Sequence, residues 1–337
     1  MRFKIGLIGK GNVGSSFLYL LSKKRNYLKK KFDIELSLNA IFKSDGALIN
    51  NRGLKLSDIV NQNPNLKNLK HWHDNYAAID YISKNNFDII IESTPTNPQN
   101  GEPCISHIYK ALINHIDVIT SNKAPFFLFY KKIKDLARKK NCFLKYDATV
   151  ASCLPVISIK GLLLGSEIMS IKAILNGTSN YILSKMTEEQ LDFNLAFQMA
   201  KELGYTETDP SLDIEGLDSA GKIVILANEL LGWSKSIHDV QIKGISGISL
   251  QEVKSLSLNG QVIKPMSIAK QNKLLVEPQL IKKSSILNLK GSLNGIIFNT
   301  KYAGPIVLIG KGAGGFEAAS AILNNLIEVI LNRIQSV

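Results

Sequence analysis

The sequence is poor in cysteine and has no long apolar run. Its 337 residues include three cysteines, which are widely spaced and form no C-x-x-C pair: Cys104, Cys142 and Cys153. This pattern argues against a disulfide framework and against a zinc site, and it fits a reducing compartment. No apolar stretch approaches the roughly 18 residues that a membrane-spanning helix needs, and charges and glycines interrupt the N-terminal residues before a signal-type core forms. We therefore expect a cytoplasmic protein without membrane contact.

Acidic residues are scarce relative to basic ones. Asp and Glu number 28 against 41 Lys and Arg, which gives a formal net charge of +13. The densest basic clusters, at 23–31 and 131–140, also show the apolar spacing of helices, which favours solvated helix faces over a nucleic-acid surface. The composition, 45% hydrophobic and 20% charged, is typical of globular proteins. We expect two domains, because a domain averages about 150 residues, and no nucleic-acid partner.

A glycine-rich turn follows the first predicted strand. The run FKIGLIG (3–9) leads into GKGNVG (9–14), a G-x-G-x-x-G that precedes a predicted helix. The first glycine permits the tight turn, the second lets the backbone approach a pyrophosphate, and the third lets helix and strand pack closely. Helix N–H groups then face the anion. The motif predicts dinucleotide binding through Gly9, Gly11 and Gly14, with a purely structural glycine turn as the alternative.

Short runs rich in Ile, Val and Phe recur through the first half, separated by segments long enough for helices. They lie at 3–9, 34–42, 87–94, 117–120 and 143–148. This alternation predicts an α/β fold, a Rossmann-like, doubly wound parallel sheet in residues 1–150. After residue 150 the pattern predicts two long helices, at 187–203 and about 214–231, and hairpins around QNK and TKYAG. We expect residues 151–311 to form an α+β domain and a C-terminal helix, about 312–337, to pack back on the first domain.

The end of the second predicted strand bears on the choice of cofactor. An acidic residue there would bind the ribose 2′-hydroxyl of NAD, but Lys43 comes first and Asp45 follows. A cation at this position, together with Arg52, suits the 2′-phosphate of NADP. We therefore favour NADP over NAD.

A second glycine cluster, GKGAGG (310–315), lies between a strand-like run and an apolar C-terminal helix. It is a candidate for another close approach of the backbone to the cofactor. A plain tight turn is an equally good interpretation.

Charged residues suited to chemistry occur at two places. Lys123 follows the strand DVIT, and ligands of doubly wound sheets lie beyond the carboxyl ends of strands. Five carboxylates gather between 207 and 218, just before an apolar helix on which Asp218 and Lys222 share one face. An exposed i,i+4 ion pair is the alternative, but charged residues of a buried helix usually pair inside a site. A lysine in such a cleft can serve as a proton acceptor.

On these motifs the sequence resembles the homoserine dehydrogenases, along nearly its whole length. The matching segments are, in order, GLIGKGNVGSS, IESTPTNP, VITSNKAPF, YDATVASCLPVI, ILNGTSNYILSKM, AKELGYTETDPSLDIEGLDSAGKIVILA and GKGAGG. Such enzymes interconvert L-homoserine and L-aspartate semialdehyde with NAD(P), in the pathway to threonine, methionine and isoleucine. The resemblance implies a small-molecule oxidoreductase.

The resemblance also implies roles for individual residues. Lys222 would be the acid/base, Asp218 would orient the substrate hydroxyl, and Lys123 would assist near the nicotinamide. Substrate binding would involve Glu207, which holds the ammonium group, with Asp213 and Asp218. The positions implied for cofactor contact, besides the three glycines and Lys43, are Asn12, Val13, Thr94, Ser121, Lys123, Gly204 and Gly314.

A monovalent-cation loop is implied as well. Its family positions correspond to Asp147, Val150, Ser152 and Leu154, so sodium is an expected ligand. The sequence departs from the family here, because Asp147 replaces the usual glutamate and A-S-C (151–153) replaces a glycine-rich triplet. The chain resembles the short, monofunctional form without a C-terminal regulatory domain. That form is usually a homodimer through the sheet of the second domain, which would then bind substrate and dimerise.

Two alternatives remain at this point. One is another dehydrogenase of amino-acid metabolism, such as aspartate semialdehyde dehydrogenase, which would need a nucleophilic cysteine with a histidine partner. The other is a non-catalytic protein that senses a dinucleotide or binds nucleic acid with the same fold.

Overall fold

The computed structural model describes residues 2–60, 65–206 and 210–335. Its strands are β1 (Arg2–Ile8), β2 (Glu35–Lys43), β3 (Gly46–Ile49), β4 (Trp72–Asp74), β5 (Ile89–Glu92), β6 (Asp117–Thr120), β7 (Leu144–Lys145), β8 (Ile168–Ile174), β9 (Val240–Ile242), β10 (Gln261–Lys270), β11 (Lys273–Lys282), β12 (Leu293–Thr300) and β13 (Pro305–Lys311). Its α-helices are α1 (Asn12–Phe32), α2 (Leu56–Val60), α3 (Ala78–Tyr81), α4 (Cys104–Ile113), α5 (Ala124–Leu128), α6 (Tyr130–Lys139), α7 (Ile159–Leu162), α8 (Gly177–Glu188), α9 (Phe193–Glu202), α10 (Ser211–Ile214), α11 (Leu217–Leu230), α12 (Leu250–Leu258) and α13 (Gly315–Gln335).

The chain divides into two compact units. The first comprises the residues up to Thr149 together with the C-terminal segment from Gly314, and the second runs from Val150 to Ala313. No helix in the described part of the chain is long and apolar enough to cross a membrane.

The first unit is built on a seven-stranded sheet in the order β4-β3-β2-β1-β5-β6-β7. Strands β2, β1, β5, β6 and β7 are parallel neighbours, which confirms the Rossmann-like sheet. Every residue of β5 and β6 is buried, as expected for parallel strands covered on both faces. One edge differs, because β3 pairs antiparallel with both of its neighbours, β2 and β4. Only Ser44 and Asp45 join β2 to β3, and two residues allow a hairpin but not a crossover.

The C-terminal helix α13 belongs to the first unit, where it packs along α1. Phe316 meets Tyr19 edge to face, with ring centroids 5.6 Å apart. At the other end, the Arg333 guanidinium lies 2.6 Å from the Asp117 carboxylate at the start of β6. Apolar residues of α13 join the core formed by β1, β2 and α1.

The second unit has a six-stranded sheet in the order β13-β12-β8-β10-β11-β9. The two predicted hairpins are confirmed as β10–β11 and β12–β13. In the first, Gln271 and Asn272 adopt left-handed φ values of 50° and 60°, as a two-residue hairpin turn requires.

The helices of the second unit agree only in part with the sequence pattern. The helix expected at about 214–231 is α11. The single helix expected at 187–203 is instead the end of α8 and the whole of α9, because Asp192 caps α9 by accepting the N–H of Leu195 at 2.9 Å.

Candidate active site

The glycine-rich turn has the geometry that a dinucleotide site needs. Gly9 has a φ of 94°, and a Cβ there would lie 2.6 Å from the carbonyl oxygen of Ser93. A Cβ on Gly14 would clash with the Gly9 carbonyl, so protein contacts explain both glycines. Gly11 is different, since no described atom would lie within 4 Å of its Cβ. Its open face leaves room for a ligand to approach the backbone.

The N-terminus of α1 continues this surface. Helix α1 begins at Asn12, and its first turn, all of it described, contains no acidic side chain. The first N–H groups of a helix have no intrahelical acceptor and attract anions. The late glycine cluster comes to the same place, because a Cβ on Gly315 would clash with the side chain of Asn12. Gly314, with a φ of 129°, makes the turn just before it. The structure therefore brings Asn12, Val13 and Gly314 together.

The carboxyl ends of β5 and β6 carry three further predicted residues. Thr94 follows β5, and Ser121 and Lys123 follow β6. The side chain of Asn122, between the latter two, donates hydrogen bonds of 3.1 Å to the carbonyls of Thr94 and Pro95. These segments adjoin the glycine turn, where the Ser93 hydroxyl donates to the Gly9 carbonyl at 2.8 Å.

The end of β2 is more basic than the sequence pattern suggested. Lys43 lies 3.4 Å from the Asp45 carboxylate, and Lys67 lies 3.3 Å from the same group. Burial alone would raise the pKa of Asp45, but the hydrogen bonds from Lys67 and Lys43 hold it below its usual value. The pKa of Lys10, inside the glycine turn, is lowered by partial burial and by the nearby charge of Lys43. Two lysines thus neutralise the one acid, and a third adds positive charge.

Arg52 is not part of this cluster, and the pairing of Lys43 with Arg52 is wrong. The hairpin from β2 to β3 returns the chain, so that the Arg52 carbonyl accepts the Arg2 guanidinium at 2.9 Å. The same guanidinium donates to Ser37, six residues before Lys43 in β2. Six residues of strand span about 20 Å, so Arg52 lies beside Ser37 and far from Lys43.

In the second unit, Lys222 and Asp218 form a buried pair on the first turns of α11. Lys222 Nζ lies 2.6 Å from Asp218 Oδ2 and donates to the Leu175 carbonyl at 2.7 Å. The side chains of the pair are only 10% and 11% exposed. This is not a solvated surface ion pair, because residues 219–229 of the helix are all buried.

Asn176 completes this cluster and was not predicted as a site residue. Its amide donates to Asp213 Oδ1 at 2.6 Å and to Asp218 Oδ2 at 3.0 Å. Its oxygen accepts the N–H of Ser179 at 2.8 Å and so caps α8. The available signal was the N-G-T that opens a helix directly after a strand.

Gly204 and Glu207 belong to the loop after α9. Gly204 has a φ of 71° and ends the helix, where its N–H reaches the Lys201 carbonyl at 3.0 Å. The helix end by itself explains this glycine. Glu207 lies outside the described residues.

The expected cation ligands lie on both sides of the boundary between the units. In the first unit, Asp147 is 4% exposed, and its carboxylate accepts the side-chain amide of Asn325 at 2.7 Å. In the described ranges, no three His, Cys, Asp or Glu side chains cluster as metal ligands. A sodium loop built mainly from carbonyl oxygens would not form such a cluster.

In the second unit, Val150, Ser152 and Leu154 follow one another in a tight turn. Ser152 donates its hydroxyl to the Gly312 carbonyl at 3.1 Å, and the Leu154 carbonyl accepts the N–H of Val156 at 2.7 Å. Ala151 and Ser152 have left-handed φ values of 53° and 44°, a conformation that favours glycine. This turn thus adopts, without glycine, backbone conformations that favour glycine.

A Rossmann-like unit with an open glycine turn, next in sequence to a sheet domain with a buried lysine–carboxylate pair, defines an oxidoreductase that uses a nicotinamide dinucleotide. Within this class the chain belongs to the homoserine dehydrogenase family. Residues 9–147 match the model for the NAD-binding domain of homoserine dehydrogenase, and residues 155–327 match the homoserine dehydrogenase model.

Relatives support the same assignment over almost the whole chain. A homoserine dehydrogenase of Methanocaldococcus jannaschii is 42% identical over 327 residues, which span 96% of this chain and 97% of that protein. An NAD(+)-dependent homoserine dehydrogenase of Pseudomonas canavaninivorans is 33% identical, and the match covers 97% of this chain and 96% of that protein. The crystal structure of a putative homoserine dehydrogenase from Archaeoglobus fulgidus superposes with a TM-score of 0.89 at 34% identity, and covers 97% of this chain and 99% of that one.

The family assignment confirms the resemblance found in the sequence. The chain is an NAD(P)-dependent oxidoreductase that interconverts L-homoserine and L-aspartate semialdehyde, a reaction of amino-acid biosynthesis. Its ligands include a small-molecule substrate and a nicotinamide dinucleotide.

Proposed function

We propose that Lys222 is the general acid/base of the reaction and that Asp218 orients the substrate hydroxyl beside it. The observation that carries this proposal is the position of Lys222 Nζ. An ammonium group has three N–H donors, and in the described part of the chain two acceptors engage this one: Asp218 Oδ2 and the Leu175 carbonyl. One donor direction remains for a ligand.

The proton step follows from this arrangement. In reduction of the semialdehyde, the remaining N–H donates its proton to the carbonyl oxygen as that oxygen becomes the hydroxyl. In oxidation of homoserine, the neutral amine of Lys222 takes the hydroxyl proton. The bound dinucleotide supplies or accepts the hydride. The Asp218 carboxylate stabilises the ammonium, while Asn176 fixes that carboxylate by its hydrogen bond of 3.0 Å.

Other residues complete the proposed substrate and cofactor sites. Glu207 holds the substrate ammonium group, Asp213 contributes to substrate binding, and Lys123 assists near the nicotinamide. The cofactor lies along the glycine turn and the carboxyl edge of the first sheet, in contact with Gly9, Gly11, Asn12, Val13, Gly14, Thr94, Ser121, Gly204 and Gly314. The open face of Gly11 supports this placement.

Replacement of Lys222 tests the proton step. Lys222→Ala should lower kcat/KM by 100- to 10,000-fold, roughly what a general acid/base contributes, while the variant still binds NADPH. Lys160→Ala is a matched control, because Lys160 forms an ion pair of 2.9 Å with Glu229 on the same helix as Lys222. It should keep nearly full activity. A fully active Lys222→Ala enzyme would refute the assignment.

We further propose that the enzyme prefers NADP to NAD. Lys43 stands at the end of β2, where the ribose of the cofactor adenosine binds in this fold. Asp45, which would otherwise bind the 2′-hydroxyl of NAD, is paired with Lys43 and Lys67. With Lys10 nearby, the site suits a phosphate dianion. Because the Pseudomonas relative is named as NAD(+)-dependent, membership of the family does not by itself decide for NADP.

Charge reversal at Lys43 tests this preference. Lys43→Glu should lower kcat/KM for NADP about 10- to 100-fold, the equivalent of one charge-assisted hydrogen bond, and should leave NAD use nearly unchanged. Lys55→Glu is the control, since Lys55 is exposed and pairs with Asp58. Unchanged NADP use in Lys43→Glu would contradict the proposal.

The remaining parts of the proposal concern assembly and ions. The proposal includes a homodimer through the sheet of the second unit, a cytoplasmic location and no nucleic-acid partner. The family resemblance supports the dimer, and the composition supports the other two. Sedimentation of the native enzyme tests the dimer. Asp147, Val150, Ser152 and Leu154 fit a sodium site in part, and replacing sodium by choline in the assay tests it.

A further inference from the structure

Glu92 is a buried carboxylate that the proposed reaction does not use. It is the last residue of β5 and is 0% exposed. Its Oε1 accepts the N–H of Thr94 at 3.2 Å and also the Thr94 hydroxyl. Its Oε2 accepts the Thr120 hydroxyl at 3.1 Å. One carboxylate therefore ties the end of β5 to the end of β6.

The network continues from Thr120 to the loop that carries Lys123. Thr120 Oγ1 accepts the N–H of Asn122 at 3.0 Å, and so its own proton is directed to Glu92. Asn122 returns to the first loop through its two 3.1 Å bonds to the carbonyls of Thr94 and Pro95. Its oxygen accepts the N–H of Ala124 at the start of α5. Segments 93–95 and 121–124 are thus closed into one hydrogen-bonded ring with Glu92 at its base.

The charge of Glu92 has little compensation. Of the residues that the structure describes, His107 is its one ion-pair partner, with Nδ1 3.6 Å from Oε1. That nitrogen has no hydrogen-bond partner in the described ranges. Near the same carboxylate, the pKa of the Cys104 thiol is raised well above its usual value, by burial first and then by the Glu92 charge. A carboxylate with one distant imidazole partner is costly to bury. An apolar residue in place of Glu92 at the end of β5 would avoid that cost.

We propose that Glu92 is a positioning residue that holds the loops 93–95 and 121–124 in their cofactor-binding geometry before the cofactor arrives. Three donors converge on the carboxylate, so the position requires an acceptor with two oxygens. Preorganised loops spare the cofactor the entropy of ordering them. The inference rests on the proposed placement of the cofactor against Thr94, Ser121 and Lys123.

Three variants isolate the role of Glu92. Glu92→Gln keeps the volume of the side chain but replaces one of its two acceptor oxygens by an NH2 group. That NH2 group then faces a hydrogen-bond donor, either Thr94 or Thr120. Thr120→Val keeps the shape of Thr120 and removes both bonds of its hydroxyl, the donation to Glu92 and the acceptance of the Asn122 N–H, while the contacts of Glu92 with Thr94 remain. Asp117→Asn is the matched control, since Asp117 is also a buried carboxylate of this sheet, at the opposite end of β6, where it pairs with Arg333.

The measurements are amide hydrogen exchange of the cofactor-free protein, NADPH affinity by fluorescence, and the thermal midpoint. In Glu92→Gln, exchange should accelerate at 93–97 and 121–124, and the Kd for NADPH should rise about 10-fold, as for a lost charge-assisted hydrogen bond. In Thr120→Val, the acceleration should be confined mainly to 121–124. Asp117→Asn should lower the thermal midpoint at least as much as Glu92→Gln does, and it should leave the Kd for NADPH unchanged.

The outcomes separate this inference from the proposals on which it depends. Wild-type exchange in both loops or wild-type NADPH affinity in Glu92→Gln would overturn it, and so would an equal rise of the Kd in Asp117→Asn. Failure of the cofactor placement has a different signature, because NADPH would then not protect the two loops in the wild-type protein. Failure of the Lys222 assignment would appear only in turnover.

Discussion

Lys264 should make the stability of the second unit depend on pH. The residue lies on β10, is 3% exposed, and donates to Asn180 Oδ1 at 3.1 Å, to the Ser184 hydroxyl at 2.9 Å and to the Leu289 carbonyl. Burial lowers the pKa of Lys264 from 10.5 to about 8; the Glu188 carboxylate opposes this shift, and Lys290 adds to it.

The sign and size of the effect follow from this shift. Because the folded-state pKa is the lower one, the unfolded chain binds more protons between about pH 8 and pH 10.5. The free energy of unfolding therefore rises with pH across this window, and the cost of the buried charge is fully present below it. At about 1.4 kcal/mol per unit of pKa shift, the rise amounts to about 3 kcal/mol.

The variant Lys264→Met removes the titrating group and keeps an unbranched chain. The sequence contains two tryptophans, Trp72 in the first unit and Trp233 in the second. In a Trp72→Phe background, urea unfolding followed by fluorescence therefore reports on the second unit. Between about pH 7 and pH 10.5, the unfolding free energy should rise about 3 kcal/mol more in the parent protein than in Lys264→Met.

The comparison needs only the difference between two curves, since other groups titrate equally in both proteins. Lys273→Met, at an exposed position of β11, controls for the loss of a lysine. If the unfolding free energies of the parent and of Lys264→Met changed in parallel with pH, the reasoning would be refuted.

Three further predictions concern the site and its surroundings. Asn176→Ser should lower kcat/KM about 10-fold, because the contacts with two carboxylates are lost, while the thermal midpoint stays close to that of the parent because serine still caps α8; equal losses in the thermal midpoints of Asn176→Ala and Asn176→Ser would contradict this. Ala151→Gly should raise the unfolding free energy by about 1 kcal/mol, since a left-handed residue loses its Cβ strain; urea titration would show the opposite if the turn were unstrained. Alkylation near neutral pH should modify Cys153 and spare the other two thiols, because Cys104 is buried with a raised pKa and burial raises the pKa of Cys142 to about 11; rapid labelling of Cys142, detected by mass spectrometry, would contradict it.

The sequence predicted the features that depend on local spacing. The glycine turn requires particular backbone conformations at neighbouring positions, such as the φ of 94° at Gly9, and Gly14 is explained by its contact with the Gly9 carbonyl within that turn. Asp218 and Lys222 are one helical turn apart, so their pairing follows from the helix alone. In the same way, alternating patterns and a two-residue turn predicted the hairpin of β10 and β11.

The features that depend on long-range geometry were missed or misplaced. Asn176 reaches Asp218 from 42 residues away, and no periodicity records that contact. Lys67 joins Lys43 only because β3 and β4 extend the sheet beyond β2. The same hairpin carries Arg52 to the opposite end of β2. The sequence pattern does not single out Glu92, because its role as an acceptor depends on Thr120, the last residue of the neighbouring strand β6, as well as on Thr94.

The most direct test of the account is an initial-rate assay of the native enzyme with L-homoserine, run in parallel with NADP and NAD. The account predicts homoserine-dependent formation of reduced nicotinamide with both cofactors and a higher kcat/KM for NADP. 2-Aminobutyrate, which lacks the hydroxyl, should give no reaction. Absence of homoserine-dependent reduction with either cofactor would contradict the account, and a higher kcat/KM for NAD would contradict its cofactor assignment.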